Sequence, residues 1–336
     1  MISRDSTQRT TKQQELFSID QMGYFIQTDH LLYKLKEIYD FDRWYPMLKR
    51  SLPPKSRAGR KPRDIVMKAK MLLLGFLDCL SDREVEAHMN VNIMYRYFCD
   101  LPAYERAPDH TQLSKLRKKI RGYKIHKLFD DVVTYARERG LVTDNWSSTD
   151  STHLEAKVSP SRKSIRNEKY MISNEQKNPK AWRKESPKPP TDRDARWGAK
   201  SKDTIFYGYK MHAAIDSESE ILTKVYTTPG QVFDGHYLGA ILETRAKNIT
   251  GDCHYKTKVN DFILRDHGIR NWIFEKGKRK HSKWIGNIRR VIERKFGEAK
   301  NWHSLFRCRY WGLMNVKVHC FMIAIAMNLK RLVALT

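Results

Sequence analysis

Acid is scarce in this sequence: 38 Asp and Glu face 64 Lys and Arg, a formal charge of +26. That imbalance excludes an ordinary enzyme of neutral metabolites and points to a polyanionic partner. Nucleic acid leads, because Lys and Arg that neutralise phosphates release condensed counterions. A membrane surface also attracts cations, so charge alone leaves both open. Cysteine is sparse too. The five residues at 79, 99, 253, 308 and 320 are scattered, odd in number and form no CxxC pair, which excludes a disulfide framework or a zinc site. The opening MISRDSTQRT has no apolar h-region, so no secretory signal is expected. Long apolar runs are missing as well. The longest, CFMIAIAMNL, is about half of the roughly 20 residues a spanning helix needs. Lys330 and Arg331 close it, and it reads as a buried helix of a soluble, cytoplasmic protein with no membrane partner. The chain has no internal repeat.

What is present divides in three. Residues 1–60 form a mixed, basic segment ending in LPPKSRAGRKPRD. Residues 61–140 are all helical in pattern: DIVMKAKMLLLGFLDCL carries apolar residues at helical spacing, and Ser81 with Glu84 fits a capping box. VNIMYRYFCDL, QLSKLRKKIRGY and HKLFDDVVTYARERG continue it to Gly140. Short helices with basic faces suit a helix-turn-helix-like DNA-binding domain, and equally a plain bundle. After Gly140 strands begin. NWSSTDSTHLEAKV reads as a strand, and TIFYGYKMHAAID alternates strictly and pairs with ILTKVYTTPG as a hairpin. A helix around HYLGAILETRA, a strand NITGD, a helix TKVNDFILRDHG, a strand IRNWIFEK and a helical end complete an α/β domain over 141–336. Residues 158–203, rich in Lys, Arg and Pro, read as a long basic loop inserted in it.

Attack on a phosphodiester requires its developing charge to be neutralised, commonly by two divalent cations held on carboxylates. Such acids belong at strand ends and on a neighbouring helix. Asp150, in SSTDSTH, lies in the first strand of the α/β region, where aspartate is an unfavourable strand residue. Asp252 closes the strand NITGD, just after Gly251. Either could instead be a cap or turn residue. The third candidate sits in RRVIERKFGEAK, residues 289–300. At about 100° per residue, Glu293 and Lys300 lie within about 40° of Arg289, beside the apolar stripe of Ile292, Phe296 and Ala299. Glu298 falls on the far side with Arg294 and reads as its solvated ion-pair partner. From the helix alone, an i,i+4 pair with Arg289 is the favoured reading of Glu293. His212 and His236 read as strand or loop residues, His254 as a surface residue, and Trp146, Trp272 and Trp302 as core.

Together these segments resemble the DDE transposases of bacterial insertion sequences, specifically the insertion-sequence-five group. The Asp150 strand is similar to the family's first-aspartate segment, GDCHYKT to its second, and Arg289-x3-Glu293-x6-Lys300 to its arginine, glutamate and lysine. FGEAKNWHSLFRCRYWGL, FYGYKMH and the helical stretch from MLLLGFLDCL to KLRKKI also look familial, so the resemblance covers roughly residues 60–336. One position departs: Gly286 stands where the family often has tyrosine, with Trp284 as the neighbour able to take its place. The resemblance implies an RNase H-like catalytic domain, a mixed sheet with flanking helices. Asp150, Asp252 and Glu293 would be its catalytic residues and its ligands for two Mg²⁺ or Mn²⁺. Double-stranded DNA, both transposon ends and target, would be the partner, bound by a homodimer or higher oligomer in the bacterial nucleoid. Arg289 and Lys300 would contact phosphates, with Arg290, Arg294, Lys278, Arg279, Lys280 and Trp284 as further DNA-binding candidates. Two other readings stay open: a DNA-binding regulator that lost its chemistry, and another RNase H-like nuclease.

Overall fold

Several helices start where a short polar side chain can hold an otherwise unsatisfied backbone amide. The computed structural model describes residues 22–49, 64–158, 192–199, 205–275 and 283–336. In it, His30 Nδ1 accepts from Leu32 N at the start of α1 (Leu31–Ile38), which is followed by the single turn α2 (Tyr45–Leu48). Asp64 caps α3 (Ile65–Leu77). Ser81 and Glu84 bond each other's backbone amides, at 3.3 and 2.7 Å, so the expected capping box opens α4 (Asp82–Val91). Asn92 caps α5 (Ile93–Phe98). The basic helix α6 (Thr111–Ile120) and the charge-balanced α7 (Tyr123–Glu138) complete the helical part. Residues 31–48, read from sequence as part of a basic N-terminal segment, are thus largely helical, and Leu35, Tyr39 and Trp44 are fully buried. Leu31, Leu35 and Ile38 do fall at helical spacing, a local signal masked by the mixed, basic composition of the segment around them.

The sheet is built on β1 (Trp146–Glu155). On one side β1 pairs antiparallel with β3 (Ile205–Asp216). The far edge of β3 is shared by β2 (Arg196–Ala199) and β4 (Leu222–Pro229), both antiparallel to it. On its other side β1 pairs parallel with β5 (Asn248–Gly251), and β5 pairs parallel with β6 (Arg270–Asn271). Helices α8 (Leu238–Ile241), α9 (Lys258–Asp266), α10 (Lys283–Trp302) and α11 (Leu313–Leu335) flank it. Helices first, then a mixed sheet with flanking helices, is the architecture the sequence implies.

Three local expectations change. Within 158–203, β2 is a strand rather than loop; Gly198 makes it possible, because a Cβ there would meet the Gly230 carbonyl oxygen at 2.4 Å. Residues 159–191 and 200–203 lie outside the described residues. IRNWIFEK holds only a two-residue pairing, Arg270 and Asn271 against the first half of β5. HYLGAILETRA forms one turn of 3-10 helix and the four-residue α8, not a full helix.

One apolar cluster joins the two halves of the chain. Helix α11 packs against α7, α1 and α3 on one side and β4 on the other. It is long and apolar enough to cross a bilayer, yet most of it is core. At Gly208 in β3, a Cβ would meet the Leu154 carbonyl oxygen at 2.0 Å, so only glycine allows β1 and β3 to approach this closely.

Candidate active site

Strand register brings the two aspartates together. The parallel β1–β5 ladder ends at the pair Thr149↔Gly251, and the next residue on each strand is an aspartate: Asp150 and Asp252. Beyond that pair the chains part. β1 continues beside β3, where Asp150 faces Ala213 across the ladder, and β5 breaks into the 3-10 turn Cys253–Tyr255. Gly251 allows the approach, since a Cβ there would lie 2.6 Å from Thr149 Oγ1. Helix α10 crosses behind, packed on β1 and β5, with Ile292, Phe296 and Ala299 buried as the predicted stripe. Ser148 Oγ donates to the Ile288 carbonyl at 3.1 Å, which fixes the helix one residue before Arg289.

Arg289 links the acids. Its Nη2 lies 3.7 Å from Asp252 Oδ1 and 3.4 Å from Glu293 Oε1, so the i,i+4 pair expected of the bare helix exists and is extended to the strand end. Asp252 Oδ1 also accepts from Cys253 N at 2.8 Å, and Oδ2 lies 2.7 Å from His254 Nδ1. Burial pushes the Asp252 carboxyl up, but His254, the Cys253 amide and Arg289 outweigh it and hold it below the usual carboxylate range. Asp150 is the opposite case. Burial, with the charges of Asp252 and Asp234 added, pushes its carboxyl up to about 6 despite the Ser151 amide and Arg289.

That electrostatic state tests whether divalent cations suit the site. Asp150 and Asp252 on adjacent strand ends, with Glu293 tied to Asp252 through Arg289, supply hard oxygen donors of the kind Mg²⁺ and Mn²⁺ take. The buried Asp150 charge is under-compensated, and Arg289 Nε is buried with no hydrogen-bond partner among the described residues. An added cation would relieve the first and release the second, so the donor set fits.

Other predicted residues are spread more widely. Arg290 is exposed on α10, Lys300 is half-buried about two turns beyond Glu293, and Trp284 is 55% exposed with its ring edge-on to Trp146. Lys278, Arg279 and Lys280 lie outside the described residues. Two expectations on α10 are corrected. Glu298 does not pair with Arg294; it bonds Lys295 at 2.7 Å, because Lys295 turns inward and Arg294 is drawn to Glu220 at 2.7 Å. Trp302 is not core but 70% exposed, standing past the end of the stripe where the helix runs clear of the sheet. His212 is a buried strand residue, as read, bonded to Thr228 Oγ1 at 2.9 Å.

Sequence reasoning missed Asp234 and undervalued His254. Asp234 accepts from Ser151 Oγ at 2.7 Å and from Lys210 Nζ at 2.8 Å, which holds the residue next to Asp150 in place. The signal available was the dipeptide Asp234–Gly235: a Cβ on Gly235 would meet the His254 carbonyl oxygen at 2.4 Å, so this turn must pack against the Asp252 loop.

Carboxylates at adjacent strand ends, a third on the crossing helix and a cation among them are an arrangement suited to metal-assisted phosphoryl transfer. The transposase DDE domain model matches residues 148–329, more than half of the chain, and the transposase domain (DUF772) model matches residues 20–119. The chain belongs to the DDE transposase family. Neither match separates the insertion-sequence-five group from other groups. No curated protein matches significantly. Among solved structures, the cryo-EM piggyBac transposase synaptic complex with hairpin DNA is similar over 94% of this chain and 74% of that one, at 10% identity and a TM-score of 0.38. That likeness is too remote to add to the geometry.

Proposed function

We propose that this transposase binds the terminal inverted repeats of its insertion sequence, hydrolyses the DNA at their ends and joins the freed 3′ ends to target DNA. Asp150, Asp252 and Glu293 are its catalytic carboxylates, and the helical residues 61–140 carry recognition of the ends. The observation that carries the reading is the register Thr149↔Gly251, which sets Asp150 and Asp252 side by side, with Arg289 reaching from Asp252 to Glu293.

The three carboxylates would hold two Mg²⁺ or Mn²⁺ ions. Bound there, the ions supply an activated oxygen nucleophile and charge neutralisation at the phosphate. The chain's own residues do the positioning. Asp234 and the Ser151 hydroxyl keep the Asp150 segment from turning, and His254 holds one oxygen of Asp252. Arg289 neutralises Asp252 and Glu293, and its guanidinium, held between them, stands where a phosphate at the carboxylates would meet it. Arg290, Lys300, Trp284 and the run Lys278–Lys280 extend the phosphate-contacting strip along the DNA. Arg294 is taken by Glu220 and plays no part in it. Two copies acting on two ends would form a dimer or larger assembly on the DNA.

The test is end cleavage of a labelled duplex. Glu293→Gln should fold, bind the ends in Ca²⁺ as well as the parent, and fail to cut in Mg²⁺ or Mn²⁺, because a neutral amide is a poor ligand for a hard cation. Normal cutting by Glu293→Gln would remove the third carboxylate from the site.

A further inference from the structure

A groove of about 300 Å³ lies away from the carboxylates, where α6, the end of β1 and the loop before α11 meet. Two of its arginines are already committed to the fold. Arg117 pairs with both oxygens of Asp82, at 2.7 and 2.5 Å, and stands 4.5 Å over the Tyr310 ring. Arg309 donates to the Gly75 and Leu80 carbonyls at 2.7 and 2.9 Å. They form the walls. Three further cations line the groove without an ion pair among the described residues: Lys118, Arg121 and Lys157. Lys118 and Lys157 are exposed, and Arg121 Nε is buried without a hydrogen-bond partner among the described residues. Trp311 lines the same groove and is 51% exposed.

Uncommitted cations beside an exposed indole match the needs of a nucleic-acid strand, with charge for the phosphates and a flat apolar face for a base. We propose that the groove holds a DNA strand, its phosphates on Lys118, Arg121 and Lys157 and one unpaired base stacked on Trp311. This rests on the reading of the chain as a DNA-cutting transposase and adds to it a second contact point. The strand β1 sets the spacing. Lys157 lies seven residues after Asp150 and two past the end of β1, at most about 23 Å away at ~3.3 Å per residue. At ~3.4 Å per nucleotide this is up to about seven nucleotides from the phosphate at the carboxylates. The groove thus joins the helical region, through α6, to the same DNA strand the sheet would cut.

The experiment uses the full chain in Ca²⁺, so that no DNA is cut, and a fluorescent oligonucleotide offered as a single strand and as a blunt duplex over a range of salt. The triple variant Lys118→Ala, Arg121→Ala, Lys157→Ala should flatten the log–log salt slope on single strands by about 2, at ~0.7 per lost phosphate contact. Trp311→Ala should weaken single-strand binding roughly 5- to 100-fold, the effect of losing one stacked base, with duplex binding unchanged. Trp311→Phe should recover most of the loss. An unchanged slope in the triple variant overturns the phosphate contacts. Equal losses on single strand and duplex, or no loss, for Trp311→Ala overturn the base stack. Cleavage by the parent in Mg²⁺ separates this from the catalytic reading. A parent that cuts beside a triple variant of unchanged slope sinks the groove alone. A changed slope in a chain that never cuts sinks the catalytic assignment alone.

Discussion

Lys295 shares α10 with Glu293 but points inward, and its side chain is only 9% exposed. Two carboxylates hold its ammonium: Glu298 at 2.7 Å and Glu220 at 3.4 Å. Glu220, in the β3–β4 turn with a φ of +61°, also takes Arg294 at 2.7 Å and reaches Arg331 of α11 at 3.9 Å. The network therefore ties the helix that carries Glu293 to the turn and to the core helix. Glu298→Gln leaves Lys295 with Glu220 and should cost about 1 kcal/mol, somewhat less than a full charge-assisted hydrogen bond. Glu220→Gln should cost a similar amount. The double variant leaves a buried ammonium without either charge, which costs about 3–5 kcal/mol, well above the sum of the singles. Urea unfolding of the parent, both singles and the double measures that excess. End-cleavage rates on the same four proteins should fall only in the double, where α10 is free to roll and carry Glu293 from Asp252. A double equal to the sum of the singles within about 0.5 kcal/mol would refute the shared network. So would a Glu298→Gln cost of only about 0.2–0.5 kcal/mol, the value for an exposed helical pair.

The Asp150 carboxylate is buried beside Asp252 and Asp234, so Asp150→Asn should abolish cutting while leaving the melting temperature unchanged or higher; a fall of several degrees would assign the residue a structural role. A fragment of residues 1–140 lacks α11, which covers α1, α3 and α7, and should bind a hydrophobic dye and unfold without cooperativity. A sharp transition in that fragment would show that the helical part folds alone. His319 is fully buried, and burial, with Arg309 adding, pushes its imidazole down to about 3. Above about pH 6.5 both folded and unfolded chains leave it neutral; as pH falls from there towards 3, only the unfolded chain takes the proton. Stability should thus drop by up to about 1.4 kcal/mol per pH unit across that window, and His319→Gln should flatten the slope.

Much of the site was legible because its residues sit on regular elements. Period-two alternation marked β3, and helical spacing placed Glu293 beside the buried stripe of α10, on the side of Arg289. The capping box at Ser81 needs only residues three apart. Each of these depends on neighbours within a few positions, where chain geometry is nearly fixed by the peptide backbone. What sequence could not settle are the contacts between segments far apart. β2 is too short to show a period, and its pairing depends on Gly198 fitting against Gly230. The partner of Glu298 was misread because Glu220, some 75 positions earlier, draws Arg294 away and leaves Lys295 inside. Asp234 reaches the site only because Lys210 and Ser151 hold it there. Composition alone pointed to a polyanion, and local periodicity set the candidate acids on their strands and helix. Only the fold, through the β1–β5 register and the packing of α10 across it, brought Asp150 and Asp252 side by side with Glu293 linked to them, since pairing at a distance follows from burial and packing that no local pattern encodes.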